Sequence, residues 1–227
     1  MFGSLAIVFM MVGPVLANLQ LARSYTGFTI SLAGAGLALA GLLLGIIAAM
    51  RGGGSAAVLA IGLAAIVSFP VFGFALWARR YPVINDLTTD TKNPPRFVHI
   101  ATAPDSREAD YSYPASFADV QQTGYPEISP LALPLSPGVA FEIVDHTAKQ
   151  MTQWVITVSD GHSLTLEGFQ DSVLFRFRDD FVIEVRRSGI GSAVHMRSRS
   201  RVGKSDLGVN ARRIGLFLEA VQYQADR

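Results

Sequence analysis

Two long uncharged runs limit what this chain of 227 residues can fold into. They cover Phe28–Met50 and Ala56–Ala78, and each contains 23 residues. At about 1.5 Å per helical residue, such a run reaches roughly 34 Å, enough to cross the hydrocarbon core of a bilayer. A soluble core helix of this length normally has a polar face, and neither run has one. The glycine-rich segment Arg51–Ser55 between them predicts a tight turn, so we expect a transmembrane hairpin.

A third apolar segment, residues 3–22, precedes the hairpin and is interrupted by Pro14. A cleaved signal peptide begins with basic residues, and the first basic residue here is Arg23. We therefore favour a retained first helix over a signal peptide. Residues 1–80 are then predicted to hold two or three membrane-spanning helices, at about residues 3–22, 28–50 and 56–78.

Small residues recur at near-helical spacing in the second of these segments: Gly34, Ala38, Gly41 and Gly45. Small side chains let helices approach closely, and we expect this set to pack inside the chain rather than across a dimer. No Asp, Glu, Lys, Arg or His lies within the three spans. Transporters and proton relays usually need an ionisable group at that depth, so the helices are predicted to serve as an anchor or as a docking surface in a membrane complex.

Charge is divided sharply along the chain. Residues 1–80 contain four arginines and no acidic residue, whereas residues 81–227 carry 15 basic and 18 acidic residues, a net charge of −3. This balance argues against a nucleic-acid-binding protein. With three spans, Arg23, Arg79 and Arg80 share one side and only Arg51 lies on the other, a distribution that favours a cytoplasmic polar domain. The chain has no cysteine, which excludes disulfides and thiolate metal sites.

Residues 81–135 form an extended proline-rich segment with eight prolines. Proline fixes φ and biases its predecessor away from helix, so the segment either wraps a globular domain or is a disordered linker. Aromatic residues such as Tyr111 and Phe117 favour wrapping, because disordered linkers contain few of them. One short helix is predicted at Ala115–Gln122.

Residues 136–227 are predicted to form an α+β domain, with a five-stranded antiparallel sheet and helices on one face. Ser136-Pro137 opens a helix that runs to about Met151, and a closing helix is predicted from Val209 to Gln224. Asp160-Gly161 and Asp179-Asp180 are predicted to be turns. The five strands are Trp154–Ser159, Ser163–Phe169, Ser172–Arg178, Phe181–Arg187 and Ser192–Arg201.

Alternation along the last three strands separates an apolar face from an arginine-rich one. The predicted core side chains are Val173, Phe175, Phe177, Ile183, Val185, Val194 and Met196. The arginine face, a name we keep for these seven residues, consists of Arg176, Arg178, Arg186, His195, Arg197, Arg199 and Arg201. It is either covered by the acidic residues 81–135 and paired internally, or exposed and solvated, or a surface for an anionic lipid, a glycan or an acidic protein partner.

Catalytic and cofactor motifs are absent from the sequence. There is no Walker loop, no dinucleotide-binding glycine motif, no zinc-protease motif and no nucleophile elbow. The four histidines form no short ligand pair, so no metal or cofactor is predicted. The remaining enzymatic alternative is a hydrolase of unknown substrate, built from Asp171, Ser205 and Asp206 if the fold brings them together.

Four segments of the polar part resemble the family catalogued as domain of unknown function 1499. They are Ile84–Phe97, Tyr125–Leu131, Gly168–Asp171 and the distinctive run Arg197–Ile214. The resemblance implies a bacterial membrane or exported protein without an agreed activity. Plant relatives lie in the thylakoid lumen, which is topologically like the periplasm, so the resemblance also implies a periplasmic domain. Together with the predicted spans, we expect a multi-pass protein of the bacterial inner membrane. The family often has two Asp residues where this chain has Asp171-Ser172, which weakens a two-carboxylate site.

The run shared with that family predicts a strand, a turn and a helix start. Its signature residues are Gly203, Ser205, Asp206, Gly208, Asn210 and Arg213. The glycines permit tight turns, and the polar side chains could satisfy the first helical amides. That helix start is either a capped terminus with an Asp206–Arg ion pair or an anion site. We expect a membrane-anchored, non-enzymatic binding domain, with an accessory subunit of a membrane complex as the alternative.

Overall fold

The computed structural model describes residues 2–104, 106 and 110–227. It divides into two units, one of Met1–Arg80 with Ser172–Phe177 and one of Tyr81–Asp171 with Arg178–Arg227. The first unit contains the helices α1 (Phe2–Asn18), α2 (Ser24–Met50) and α3 (Gly54–Ala78). The second contains β1 (Asp86–Thr88), α4 (His99–Thr102), α5 (Phe117–Gly124), β2 (Leu131–Leu133), α6 (Pro137–Gln150), β3 (Trp154–Asp160), β4 (Thr165–Asp171), β5 (Arg178–Ser188), β6 (Gly191–Ser200) and α7 (Val209–Ala225).

Glycines determine how the three helices of the first unit pack. A Cβ atom at Gly34 would lie 2.9 Å from the Ala6 carbonyl oxygen of α1, and one at Gly45 would lie 2.9 Å from the Ile61 side chain of α3. A Cβ at Gly41 would lie 2.9 Å from Phe2 of α1 and 3.7 Å from Ala64 of α3. Rising residue numbers on α2 thus meet falling numbers on both neighbours, so α2 is antiparallel to both. These small residues pack inside the chain, Gly34 against α1 and Gly45 against α3. Helices α2 and α3 are long and apolar enough to cross a membrane, and α1 is a shorter apolar helix.

Residues Ser172–Phe177, which we call the docked loop, belong to this helical unit rather than to the sheet. Asn18 donates its side-chain amide to the Val173 and Leu174 carbonyls, and Ser24 donates its hydroxyl to the Arg176 carbonyl. The predicted strand Ser172–Arg178 is therefore wrong, and Val173, Phe175 and Phe177 do not join the sheet core. The segment alternates like a strand, but Arg176 has φ of +55°, which an extended strand cannot accommodate.

The sheet of the second unit is antiparallel throughout and has six strands, in the order β1-β6-β5-β4-β3, with β2 also paired to β6. The prediction of an antiparallel sheet with helices is confirmed, but the number of five strands is wrong. Strands β1 and β2 come from the proline-rich segment, where three-residue strands leave too little alternation to detect. The predicted turn at Asp179-Asp180 is also wrong, because both residues lie inside β5 and pair with Ser200 and Arg199 of β6.

One face of the sheet carries the main core. Helices α6 and α7 place Val144, Ile214 and Phe217 against Ile183 and Met196 of the sheet, and all five are fully buried. Helical spacing puts these apolar side chains on one side of each helix, as the sequence predicts. This face therefore supplies the apolar burial that stabilises the second unit.

The opposite face is covered by the segment that follows β1. Phe97 and Ile100 pack on Val182 of β5 in a second, smaller apolar cluster, so the short helix α4 lies on this face. Glu167 of β4 is fully buried below it and accepts the backbone N–H groups of Val98, His99 and Ile100 at 2.7–3.1 Å. The helices are thus divided between the two faces, with the long ones on one and α4 on the other.

Candidate functional site

Alternation predicts the arginine face, and the register of the sheet shows how its residues are arranged. Strands β5 and β6 are neighbours, with Val182 opposite Arg197 and Glu184 opposite His195. Arg178 and Arg186 of β5 and the basic residues of β6 therefore share the face opposite α6 and α7. Arg176 is the exception, because it lies in the docked loop of the first unit.

Arg197 lies at the centre of this face and is only 2% exposed. Its guanidinium makes a bidentate ion pair with Asp86 of β1, with nitrogen–oxygen distances of 2.9 and 2.7 Å. It also donates to the carbonyls of Pro95 and Tyr111 at 3.3 and 3.0 Å, and the Phe97 ring lies 5.1 Å from it. All these partners come from residues 86–111, so the proline-rich segment covers Arg197 completely.

Arg201 and Arg199 are also paired with carboxylates on this face. Arg201 binds Asp180 through two nitrogens at 2.7 and 2.9 Å, and Tyr111 donates its hydroxyl to the same carboxylate at 2.7 Å. Burial and the bond to Asp180 raise the pKa of Tyr111 to about 12, so its hydroxyl stays protonated as a donor. The guanidinium of Arg199 lies 4.6 Å from the Tyr111 ring centre, and its Nε is 3.7 Å from Asp86.

Two arginines occupy the more accessible part of the face. Arg178 binds Asp171 through two nitrogens at 2.7 and 2.9 Å, and its side chain is 30% exposed. Arg186 binds Glu184 at 2.6 Å and Asp90 at 3.3 Å, and its side chain is 25% exposed. These two guanidinium groups are the members of the set that an external anion could reach without unfolding the covering segment.

His195 lies beside Arg186 under the same cover. Its Nδ1 is buried and 3.9 Å from Asp90, beyond hydrogen-bond distance, and Glu184 is its cross-strand neighbour. Burial lowers the pKa of His195 from its ordinary value, and the charge on Arg186 lowers it further, against the opposing influence of Asp90 and Glu184. The imidazole is therefore neutral at neutral pH and adds no positive charge to the face.

The geometry thus matches the covered, internally paired alternative for five of the seven residues: Arg178, Arg186, Arg197, Arg199 and Arg201. Each has a carboxylate partner, so the positive charge of the strands is largely balanced. Binding of an anion by this face stays a prediction, and it would involve the accessible Arg178 and Arg186 first.

The signature residues form a second buried polar cluster, at the start of α7. Arg213 binds Asp179 at 2.7 Å and Gln170 at 2.9 Å, and it also donates to Asn210 and to Ser198. Asn210 is fully buried and donates to the Ser200 hydroxyl at 3.1 Å. Arg213 and Asn210 therefore tie α7 to β5 and β6.

Asp206 supplies the start of α7 with a carboxylate. It accepts the N–H groups of Gly208 at 3.1 Å and of Asn210 at 2.8 Å. Burial raises the pKa of Asp206, against the lowering effect of these amides. Gly208 has φ of +80°, and a Cβ there would lie 2.5 Å from the Tyr81 ring, so only glycine fits. The helix start is thus the capped terminus, but the predicted Asp206–Arg ion pair is replaced by Asp179–Arg213.

Asp171, Ser205 and Asp206, the candidate hydrolase residues, bind different partners. Asp171 pairs with Arg178, Ser205 donates to the Pro82 carbonyl at 3.1 Å, and Asp206 accepts helix amides. Gly203, the remaining signature glycine, has φ of +97° in the turn after β6. Within residues 2–104, 106 and 110–227, no group of three His, Asp or Glu side chains is arranged to hold a metal ion.

Sequence reasoning missed Glu167 and Gln121. Gln121 of α5 is buried and accepts the Thr88 N–H at 3.0 Å while donating to the Thr88 carbonyl at 2.6 Å, so it satisfies the free edge of β1. Neither residue has a local signal, because a single Glu in a strand or a Gln in a helix normally points to water. The family-like segment Gly168–Asp171 begins directly after Glu167, so the resemblance did not single out that residue.

A cleft of about 610 Å³ lies along α7, away from the arginine face. Its apolar lining includes Ile128 and Leu218, and Glu127, Glu219 and Asp226 bring three carboxylates to it. The cleft therefore combines an apolar surface with negative charge, the reverse of the arginine face.

Together these features define a class of protein: an antiparallel α+β domain with buried arginine–carboxylate pairs, in a chain that also carries long apolar helices. The family is the one described as "Protein of unknown function (DUF1499)", whose sequence model matches residues 86–221, and the chain belongs to it. The match begins at β1 and ends within α7, so it includes every ion pair described above.

Comparison with curated proteins gives no match. Among solved structures, one with similarity is the crystal structure of Ara h 8.0201, with 12% identity and a TM-score of 0.32 over 44% of this chain and 96% of that one. Another is the crystal structure of TTHA0849 from Thermus thermophilus, with 12% identity and a TM-score of 0.27 over 43% of this chain and 92% of that one.

Proposed function

We propose that this protein is a membrane-anchored, non-enzymatic binding or accessory domain. The observation that carries the proposal is the outward surface of α2 and α3, where Leu43, Leu59 and Phe69 are each more than half exposed. Soluble proteins rarely leave so large an apolar area in water. A bilayer would cover that area, and the helices already satisfy their own backbone hydrogen bonds, as spanning segments must.

The anchor is tested by membrane extraction of the full-length chain. Alkaline carbonate removes peripheral proteins and leaves spanning proteins in the membrane pellet. We expect the chain to stay in the pellet and to be released only by detergent. Release by carbonate would contradict the anchor.

The bacterial inner membrane, with the polar domain in the periplasm, is the location we propose. The family resemblance to exported and lumenal proteins supports the periplasmic side. The positions of Arg23, Arg79 and Arg80 favour the opposite side, so the side is a separate question from the anchor.

For the binding role, we propose an anionic lipid, a glycan or an acidic protein as the ligand of the arginine face. Arg178 and Arg186 support this, because each combines a guanidinium with partial exposure. Their carboxylate partners already hold them in position, so binding would cost little side-chain ordering. Such an interaction would weaken as salt rises.

Vesicle binding tests this role. Full-length protein in phosphatidylcholine nanodiscs is mixed with vesicles that contain phosphatidylglycerol, and co-flotation is measured over a salt series. We expect R178Q/R186Q to weaken flotation several-fold. Arg187 is exposed on the same strand but points to the other face, so R187Q is the matched control. Equal flotation of both variants would contradict a role for the arginine face.

An accessory subunit of a membrane complex is the second candidate. The acidic cleft along α7 favours it, since an apolar surface with three carboxylates suits a basic, partly apolar segment of a partner protein. Purification in mild detergent tests it. A stoichiometric partner that is lost in the variant E219K, but kept in the control R187Q, would support it, and a single monomeric species would contradict it.

A further inference from the structure

The docked loop presents two large aliphatic side chains at its tip. Val173 is 70% exposed and Leu174 is 58% exposed. The loop is closed at its base, where Ser172 donates its N–H to the Phe177 carbonyl at 2.8 Å and Phe177 donates to the Ser172 hydroxyl at 2.9 Å. The tip therefore projects from a hydrogen-bonded loop rather than from a loose one.

Helix ends hold the loop at a defined place. Asn18, the last residue of α1, binds the two tip carbonyls at 3.2 and 2.9 Å, and Ser24, the first residue of α2, binds the Arg176 carbonyl at 2.8 Å. The Phe28 ring meets the rings of Phe175 and Phe177 edge-on, with centres 5.6 and 5.9 Å apart. These contacts order the apolar tip before any partner binds, which lowers the entropic cost of binding.

The neighbouring residues of the α1–α2 connection are also apolar and exposed. Leu19, Leu21 and Tyr25 are each more than half exposed. Because α2 is antiparallel to α1 and α3, this connection lies at the same end of the helical unit as Arg79 and Arg80, with Arg23 inside it. Aliphatic residues, a tyrosine and arginines at the end of an apolar helix bundle are the residue types that favour the interface between lipid headgroups and acyl chains.

We infer that the docked loop and the α1–α2 connection form one lipid-binding patch, in which Val173 and Leu174 enter the interfacial zone of the bilayer beside Leu19 and Leu21. A bilayer is the occupant because the patch continues the exposed apolar surface of the helices, which the same lipid would cover. The inference rests on the proposed membrane anchor. It adds that a segment between β4 and β5, far from the helices in sequence, is itself a lipid contact.

Depth-dependent fluorescence quenching tests the inference. The sequence has no native cysteine, so a label attaches only to the cysteine that is introduced. Full-length L174C carries an environment-sensitive fluorophore and is reconstituted into vesicles of phosphatidylcholine and phosphatidylglycerol. Nitroxide-labelled lipids supply shallow or deep quenchers. L43C, within the uncharged part of α2, reports the anchor, and I190C, at the fully exposed tip of the β5–β6 turn, is the comparison label on the second unit.

We expect L174C to be quenched several-fold more by the shallow nitroxide than I190C, and L43C to be quenched most by the deep one. Quenching of L43C without quenching of L174C would overturn the patch and leave the anchor intact. Absence of quenching at both positions would overturn the anchor and the patch together. N18A gives a second measurement: removal of the amide that holds the tip should lower the quenching of L174C and leave that of L43C unchanged.

Discussion

At the scale of single residues, the second unit depends on charges that are buried in pairs. Arg197 and Asp86 are both almost fully buried and satisfy each other through two hydrogen bonds. Taking an ion pair out of water costs several kcal/mol per ion, so such a pair contributes little net stability. Removal of Arg197 is costly all the same, because the buried Asp86 carboxylate then loses both of its short, charge-assisted hydrogen bonds.

Replacement of Arg197 by methionine leaves the buried Asp86 carboxylate without its bidentate partner, and the nearest remaining cation, Arg199, lies 3.7 Å from it. We expect R197M to lower the free energy of unfolding by about 3–5 kcal/mol. The exposed R187M, as a control, should change it by less than about 0.5 kcal/mol. Denaturant unfolding of the full chain in detergent measures the free energy of unfolding of both variants. If R197M loses no more stability than R187M, the Asp86–Arg197 pair is not needed for the stability of the second unit.

His195 makes the free energy of unfolding depend on pH, and the lowered pKa of this residue fixes the sign. Burial, together with Arg186, lowers the pKa of His195 in the folded state below its ordinary value of 6.5. As the pH falls through about 6.5, the unfolded chain takes up a proton that the folded chain does not, so the free energy of unfolding decreases. The decrease from this group ends once the pH is below the folded-state pKa.

We therefore expect H195N to show a smaller loss of stability than the wild type between about pH 7.5 and pH 5.5. His162 lies in the exposed β3–β4 turn, so H162N should keep the wild-type slope. Thermal unfolding over this pH range is the measurement. A wild-type slope in H195N would mean that the histidine is protonated equally in both states.

Glu167 provides the third residue-scale prediction. Its two oxygens accept three amides at the start of α4, whereas a glutamine would turn an NH₂ donor toward those amides. We expect E167Q to cost about 1–3 kcal/mol and to speed hydrogen exchange at Val98, His99 and Ile100. The amides of β6 should keep their wild-type rates in the same experiment, and unchanged rates at α4 would contradict the assignment.

At the scale of elements, helix packing in the first unit depends on where α1 and α2 touch. A Cβ at Gly27 would lie 2.6 Å from the Gly13 carbonyl oxygen, whereas one at Gly36, on the same helix, would meet nothing within 4 Å. The two glycines therefore differ in environment although both lie in an apolar run. Sequence alone does not separate them.

We expect G27L to separate α1 from α2 and to lower the stability of the helical unit by about 1–3 kcal/mol, the usual cost of overpacking. G36L, with the same change in volume and hydropathy, should be neutral or slightly stabilising, because leucine is the better helix former. Thermal stability of the purified protein in one detergent compares them. Similar melting temperatures would mean that α1 does not pack at Gly27.

Strand prediction succeeded and failed for identifiable reasons. Long strands with regular alternation, β5 and β6, were found because one side of each faces a large core. The docked loop has the same alternation, but its backbone carbonyls accept hydrogen bonds from side chains of α1 and α2. Those side chains lie more than 140 residues earlier in the chain. Asp179-Asp180 resembles a turn because buried carboxylates are rare, and here Arg213 and Arg201 neutralise them.

At the scale of the whole molecule, the proposed membrane anchor would hold the polar domain on one side, and that side would determine which partners the domain can meet. We expect reporters active only in the periplasm to give signal when fused after Arg80 and after Arg227. The distribution of arginines favours the opposite result, because Arg23, Arg79 and Arg80 would then lie outside the cytoplasm, where basic residues are less common. Cytoplasmic signal at both positions would reverse our placement, and signal on different sides would contradict a single polar domain.

The order of apolar helices, then an antiparallel sheet with helices, was determined by the sequence itself, because periodicity and uncharged length are local properties. The family was also recognisable from short runs such as Arg197–Ile214. Long-range polar contacts, in contrast, follow only from the three-dimensional fold. They include the carboxylate that pairs with Arg197, the segment that covers the arginine face, and the side chains that hold the docked loop. Those outcomes depend on pairs more than a hundred residues apart, such as Asp86 with Arg197 and Asn18 with Leu174. Local patterning carries no information on such pairs, because any of several arginines could have met any of several acids until the fold brought two of them within hydrogen-bond distance.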